Sequence, residues 1–187
     1  MGDVPGGSSV TASIGTPREF LEMNYQSLKS QLANDLLEQA KKCSPSFFEK
    51  LVVNLSVAMG YGGSFKDAGK AIGRSGDEGV DGLIKQDRLG LDTVYVQAKR
   101  WDKQTVGSPE LQKFVGGLEG HHANKGVFIT TSRFSDEAKR CLEKVTKKVV
   151  LIDGEQLAEL MIEHEIGVTK DTTYVLKKLD LDYFTEE

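Results

Sequence analysis

The chain has 187 residues, of which 39% are hydrophobic and 28% charged, with a net charge of −4. That balance fits a globular protein able to build one substantial core without disulfide staples, and it argues against binding nucleic acid through overall positive charge. No run approaches the ~18 apolar residues of a membrane span, and no basic segment followed by an apolar run opens the chain, so a soluble, cytoplasmic protein is expected.

Residues 1–16 are rich in Gly, Ser, Thr and Pro and read as a flexible tail. From Thr16-Pro17 apolar residues recur at three- and four-residue spacing, with Leu28, Leu32 and Leu36 on one stripe. This predicts a long helix over 17–43 that either folds back on the core or pairs with another subunit. Ser44-Pro45-Ser46 is a start signal for a second, strongly apolar helix over 47–59. A Gly-rich stretch over 60–76 follows, without the spacing of a phosphate-binding loop. Residues 80–86 and 93–99 predict a hairpin turning at 87–90. Ser108-Pro109-Glu110 predicts another helix by the same capping logic, and residues 125–131 a buried strand. A helix from Ser135 to about 145, a strand over 148–152, a helix over 155–165 and a last edge strand over 172–178 complete the order. The fold class expected is α/β, a mixed sheet flanked by helices.

Cys43 and Cys141 lie far apart and read as lone, buried, reduced thiols. His121 and His122 end a predicted helix, where charge favours the helix C-terminus. Thr130, Thr131 and Ser132 end a strand, where hydroxyls either cap the next turn or meet a phosphate.

Strand periodicity isolates a candidate site. Over 93–99, Val94, Val96 and Ala98 face one way, while Tyr95, Gln97 and Lys99 face the other. Buried Gln and Lys need partners, because an unsatisfied polar group costs roughly 2–7 kcal/mol. Asp81, at the start of the preceding strand, comes back beside the far end of its neighbour when the hairpin closes. A carboxylate and an amide oxygen suit a hard cation such as Mg²⁺, with Mn²⁺ as a substitute. A lysine beside them neutralises charge developing on a phosphate or orients a water. The plain alternatives are a turn-capping Asp81, a hydrogen-bonded sheet Gln97 and a solvated strand-end Lys99.

The spacing from Asp81 to Gln97-Ala98-Lys99 resembles the PD-(D/E)xK nuclease motif. The longer segments Gly73-Arg74-Ser75-Gly76-Asp77-Glu78-Gly79-Val80-Asp81-Gly82 and Val94-Tyr95-Val96-Gln97-Ala98-Lys99-Arg100-Trp101 resemble the catalytic domain of the Mrr restriction endonuclease family. So do Phe114-Val115-Gly116-Gly117-Leu118, Lys125-Gly126-Val127-Phe128-Ile129-Thr130-Thr131-Ser132 and Val150-Leu151-Ile152-Asp153-Gly154. The resemblance spans about residues 44–168. It implies a restriction-endonuclease-like fold and Mg²⁺-dependent cleavage of foreign, often methylated, DNA. It assigns Asp81 and Gln97 as metal ligands, Lys99 as the catalytic lysine, and Glu49 as an acidic residue supporting metal-bound water. Glu49 also fits a capping box starting at Ser46. Asp77 and Glu78 read as solvated turn residues.

Lys66, Lys70, Arg74, Arg100 and Lys103 are candidates for a local basic rim, with Arg74, Arg100 and Lys103 the expected DNA contacts. The domain division expected is a tail over 1–16, a helical linker or dimerisation helix over 17–43, and the nuclease domain over 44–187. Cutting two antiparallel strands is most economically done by a homodimer. Longer Mrr proteins place a DNA-recognition domain first, whereas here a short tail precedes Thr16, so recognition is expected from a separate or missing domain. The alternatives are a non-catalytic DNA-binding or assembly module, motivated by the neutral Gln97, and a structure-selective nuclease such as a junction resolvase.

Overall fold

A computed structural model describes residues 15–61, 80–85 and 93–185, with positions 80, 81, 83 and 85 described by backbone alone. The elements are α1 (Pro17–Lys42), α2 (Pro45–Ala58), β1 (Val80–Lys85), β2 (Thr93–Lys99), α3 (Ser108–Gly120), β3 (Lys125–Thr130), α4 (Asp136–Leu142), β4 (Lys148–Ile152), α5 (Gly154–Glu163) and a short 3₁₀ helix (Asp182–Phe184). The glycine-rich stretch from residue 62 onward, the predicted hairpin turn and most of the predicted tail lie outside the described residues.

The helix starts follow capping chemistry. Thr16 and Glu19 form a reciprocal box: the Glu19 carboxylate accepts from Thr16 N at 2.6 Å, and the Thr16 hydroxyl accepts from Glu19 N at 3.3 Å. Pro17 follows at the first helical position, and Lys41 and Lys42 sit in the last turn against the helix dipole. Ser44 caps α2 by accepting from Phe47 N, which moves the helix start to Pro45. The α3 start departs from expectation. Gly107, not Ser108, is its cap and makes no side-chain bond. The chain is held there instead by Val106, which bridges Phe134 and whose N–H donates to Arg133 O at 2.8 Å.

The four strands lie in sequence order, β1-β2-β3-β4. β1 and β2 pair antiparallel, and β2, β3 and β4 run parallel. The mixed sheet expected from the element order is therefore present. The predicted strand over 172–178 is not: among the described residues that segment joins no sheet, because strand geometry is stable only with a hydrogen-bonding neighbour.

Two apolar layers sandwich the sheet. On one face Val94, Val96, Ala98, Ile129 and Ile152 pack with α2, α5 and the end of α1. On the other, Tyr95 and Phe128 pack with Leu111, Phe114 and Leu118 of α3 and Ala138 of α4. Leu36 and Ala40 anchor the C-terminal part of α1 in the core, whereas Leu21, Tyr25, Leu28 and Leu32 before them are exposed. The long helix thus folds back on the core over its C-terminal part only.

Candidate active site

Register fixes the geometry. Position 81 stands directly opposite Gln97, and Gln97 in turn stands beside Phe128 of β3. Directly paired positions share a sheet face, so 81 and 97 lie on the face covered by α3. Gln97 is 6% exposed although polar. Its strand neighbour Tyr95 is buried between Phe114 and His121, with ring centroids 5.3 and 5.1 Å away. His121 caps the end of α3, as expected, and also closes this stack. Lys99, two residues beyond Gln97, is half-buried at the end of β2, where the sheet opens toward solvent.

The hydroxyls that follow β3 fasten the backbone after this lysine. Thr130 stands beside Lys99 in register, and its hydroxyl donates to Lys99 O at 2.9 Å. Thr131 N donates to the same carbonyl at 3.3 Å. The Thr131 hydroxyl donates to Trp101 O at 2.7 Å, and that of Ser132 to Gln104 O at 2.6 Å. Thr130 and Thr131 are fully buried. Three consecutive side chains thus hold residues 99–104 in place. A run of hydroxyls ending a strand signals such a role, but which carbonyls they meet depends on a parallel pairing across some 30 residues of chain.

Arg100 turns inward. Its Nη1 donates to Lys41 O at 2.6 Å, bonding a carbonyl of the last turn of α1, while its buried Nε has no hydrogen-bond partner among the described residues. Lys103 is fully exposed in the loop that follows. It lines a cleft of about 800 Å³ with Lys29, Lys41 and Arg133 and with the carboxylates of Asp102 and Asp153. Within the cleft the Lys41 ammonium bonds Glu38 at 2.9 Å and holds that carboxyl below its ordinary value. The cleft opens at the same sheet end as Lys99. Arg74, Asp77, Glu78, Lys66 and Lys70 lie outside the described residues.

Glu49 is half-buried on α2. With Ser44 as the cap, Glu49 lies beyond the first turn and is not the capping-box partner. α2 packs on the sheet face opposite Gln97, so any part for Glu49 at the site requires it to reach past the end of the sheet. Among the described residues no three His, Cys, Asp or Glu side chains cluster as a metal cage. Cys43 and Cys141 are both free and half-buried rather than fully enclosed.

A family model described as a restriction endonuclease, the Mrr catalytic domain, matches residues 40–161. The chain belongs to the Mrr restriction endonuclease family. The match covers β1, β2 and the hydroxyls after β3, so the site described above lies wholly inside the family's domain. Among curated proteins, the type IV methyl-directed restriction enzyme EcoKMrr of Escherichia coli (strain K12) is 46% identical over 169 residues, which are 90% of this chain and 54% of that protein. The chain thus spans about half the length of this relative. Among solved structures, the MspJI restriction endonuclease in complex with a 27-mer oligonucleotide is 20% identical, covering 72% of this chain and 31% of that one, with a TM-score of 0.48.

Proposed function

We propose that this Mrr-family domain hydrolyses phosphodiester bonds in DNA with the help of a divalent cation, Mg²⁺ or Mn²⁺, held by Asp81 and Gln97. The observation that carries this reading is the β1–β2 register. It sets a carboxylate position opposite a buried amide, with a lysine two residues further along the same strand. The cation would supply charge neutralisation and activation of water at the scissile phosphate. The Asp81 carboxylate and Gln97 oxygen orient it from two adjacent strands. The Lys99 ammonium faces the phosphate and offsets the negative charge that grows on its oxygens. The hydroxyl clamp after β3 fixes the backbone that carries Lys99, so the ammonium needs little rearrangement to act. Glu49, on the first core helix, is the further acidic residue assigned to supporting a bound water.

DNA contacts are assigned to Lys103 and Arg74, with Arg100 serving the fold through α1 as well. The relative's description as methyl-directed supports foreign, methylated DNA as the substrate class. Because this chain spans about half of that relative, selection of the methylated site is assigned to a recognition domain beyond this catalytic one. Cleavage of both strands calls for two copies of the site.

The test is incubation of the purified chain with methylated and unmethylated supercoiled plasmid, with Mg²⁺ or with chelator, beside Lys99→Ala and Asp81→Ala. Cutting that needs the metal and disappears in both variants, while their circular dichroism stays that of the parent, is the expected result. Parent-rate nicking by either variant would sink the site assignment.

A further inference from the structure

The sheet has an unused edge, and the chain has an unused strand. β4 is bonded to β3 on one side only, and among the described residues its outer edge meets no other strand. Open edges are normally blunted by Pro, charge or a bulge. β4 has only Lys148 at its start, and Val150 is 46% exposed. After α5 the chain turns at Gly167, with Val168 packed against the core, and then runs exposed and without helix or strand through residues 169–180. The backbone of these residues makes no hydrogen bond among the described residues. Thr172-Thr173-Tyr174-Val175-Leu176 is a run of strand-favouring residues. Tyr174, Val175, Leu176, Leu179, Leu181, Tyr183 and Phe184 are each at least two-thirds exposed or nearly so, from 66% to 84%. A monomer gains nothing from so much apolar surface on one arm.

We propose that residues 172–176 of one chain add as a fifth strand to the outer edge of β4 in a second copy, and that the exchange is reciprocal. Run antiparallel, the arm sets Tyr174 across from Val150 and Val175 across from Val149, covering the exposed valine. The same direction carries Asp180 and Asp182 past the start of β4, where Lys144 and Lys148 stand exposed. Backbone bonds along the edge supply affinity, and the alternating side chains supply register. Both partners are unpaired among the described residues, and a two-fold exchange satisfies both at once. The inference does not depend on the nuclease reading. It concerns a surface away from Gln97 and Lys99, and it is read without DNA or metal.

Sedimentation of the full chain at micromolar concentration is expected to give a dimer. A chain ending at Val168, and the full-length variant Val175→Pro, are expected to sediment as monomers with unchanged circular dichroism. In a Cys43→Ser, Cys141→Ser background, a chain carrying Val150→Cys mixed with one carrying Tyr174→Cys is expected to form an interchain disulfide on oxidation. A monomeric full chain, a truncated chain that stays dimeric, or cysteines that join only when both are in the same chain would overturn the proposal. Lys99→Ala should sediment like the parent, which separates failure of this interface from failure of the catalytic assignment.

Discussion

Thr130 shows how much of a site can rest on a residue that touches no substrate. Its hydroxyl donates to Lys99 O and accepts from Ser132 N at 3.1 Å, in a position with no exposure. Replacing it with Val keeps the volume but leaves the Ser132 N–H without its partner, a cost of about 1–2 kcal/mol. The expected outcome for Thr130→Val is a small fall in thermal midpoint and a larger fall in kcat, with DNA affinity little changed. Thr130→Ser should restore the rate, and equal loss of rate in both variants would argue against this positioning role. Lys99 meets the clamp through its backbone carbonyl, and its proposed role lies in its side chain, so Lys99→Ala should lose rate without losing stability. Gln97 illustrates what composition hides: it is polar, yet it is 6% exposed and stands opposite position 81 in the register, which is why it enters the proposed metal site although a neutral amide is a weaker cation ligand than a carboxylate.

At the scale of elements, α5 begins against the same clamp. Gly154 N donates to Ser132 O at 2.8 Å, and a Cβ on Gly154 would lie 2.7 Å from Thr131 O and 3.0 Å from the methyls of Leu37. The leucine can shift, but the carbonyl belongs to a strand end and cannot. Gly154→Ala should therefore destabilise the fold by about 1–3 kcal/mol, measured by urea unfolding, and lower activity through the 130–132 segment. Apolar periodicity and Ser or Thr before a helical run were enough to place the helices and the hairpin, because those signals are local. Ser108 misled for a physical reason: its helix is set by the Val106–Phe134 bridge, a contact with no local signature. The pairing of 81 with 97 was legible because a hairpin makes it from neighbouring chain. The inward turn of Arg100 onto α1 was not, since its partner Lys41 lies 59 residues away.

Taken as a whole, the molecule carries a net charge of −4, so its overall field opposes DNA and binding must come from a few local cations. Exposed Lys103, which lines the cleft, is proposed as one of them. Lys103→Ala should weaken binding about equally across sequences and lower the slope of log affinity against log salt by about 0.9. A slope that does not change would remove Lys103 from the contacts. The sequence-ordered sheet has a further consequence in time. During synthesis the β1–β2 hairpin, with the proposed metal-ligand positions and Lys99, leaves the ribosome before β3 does. The hydroxyl that fixes Lys99 comes 31 residues later. The proposed catalytic groups therefore exist before the scaffold that aligns them, and their alignment waits for β3 to dock.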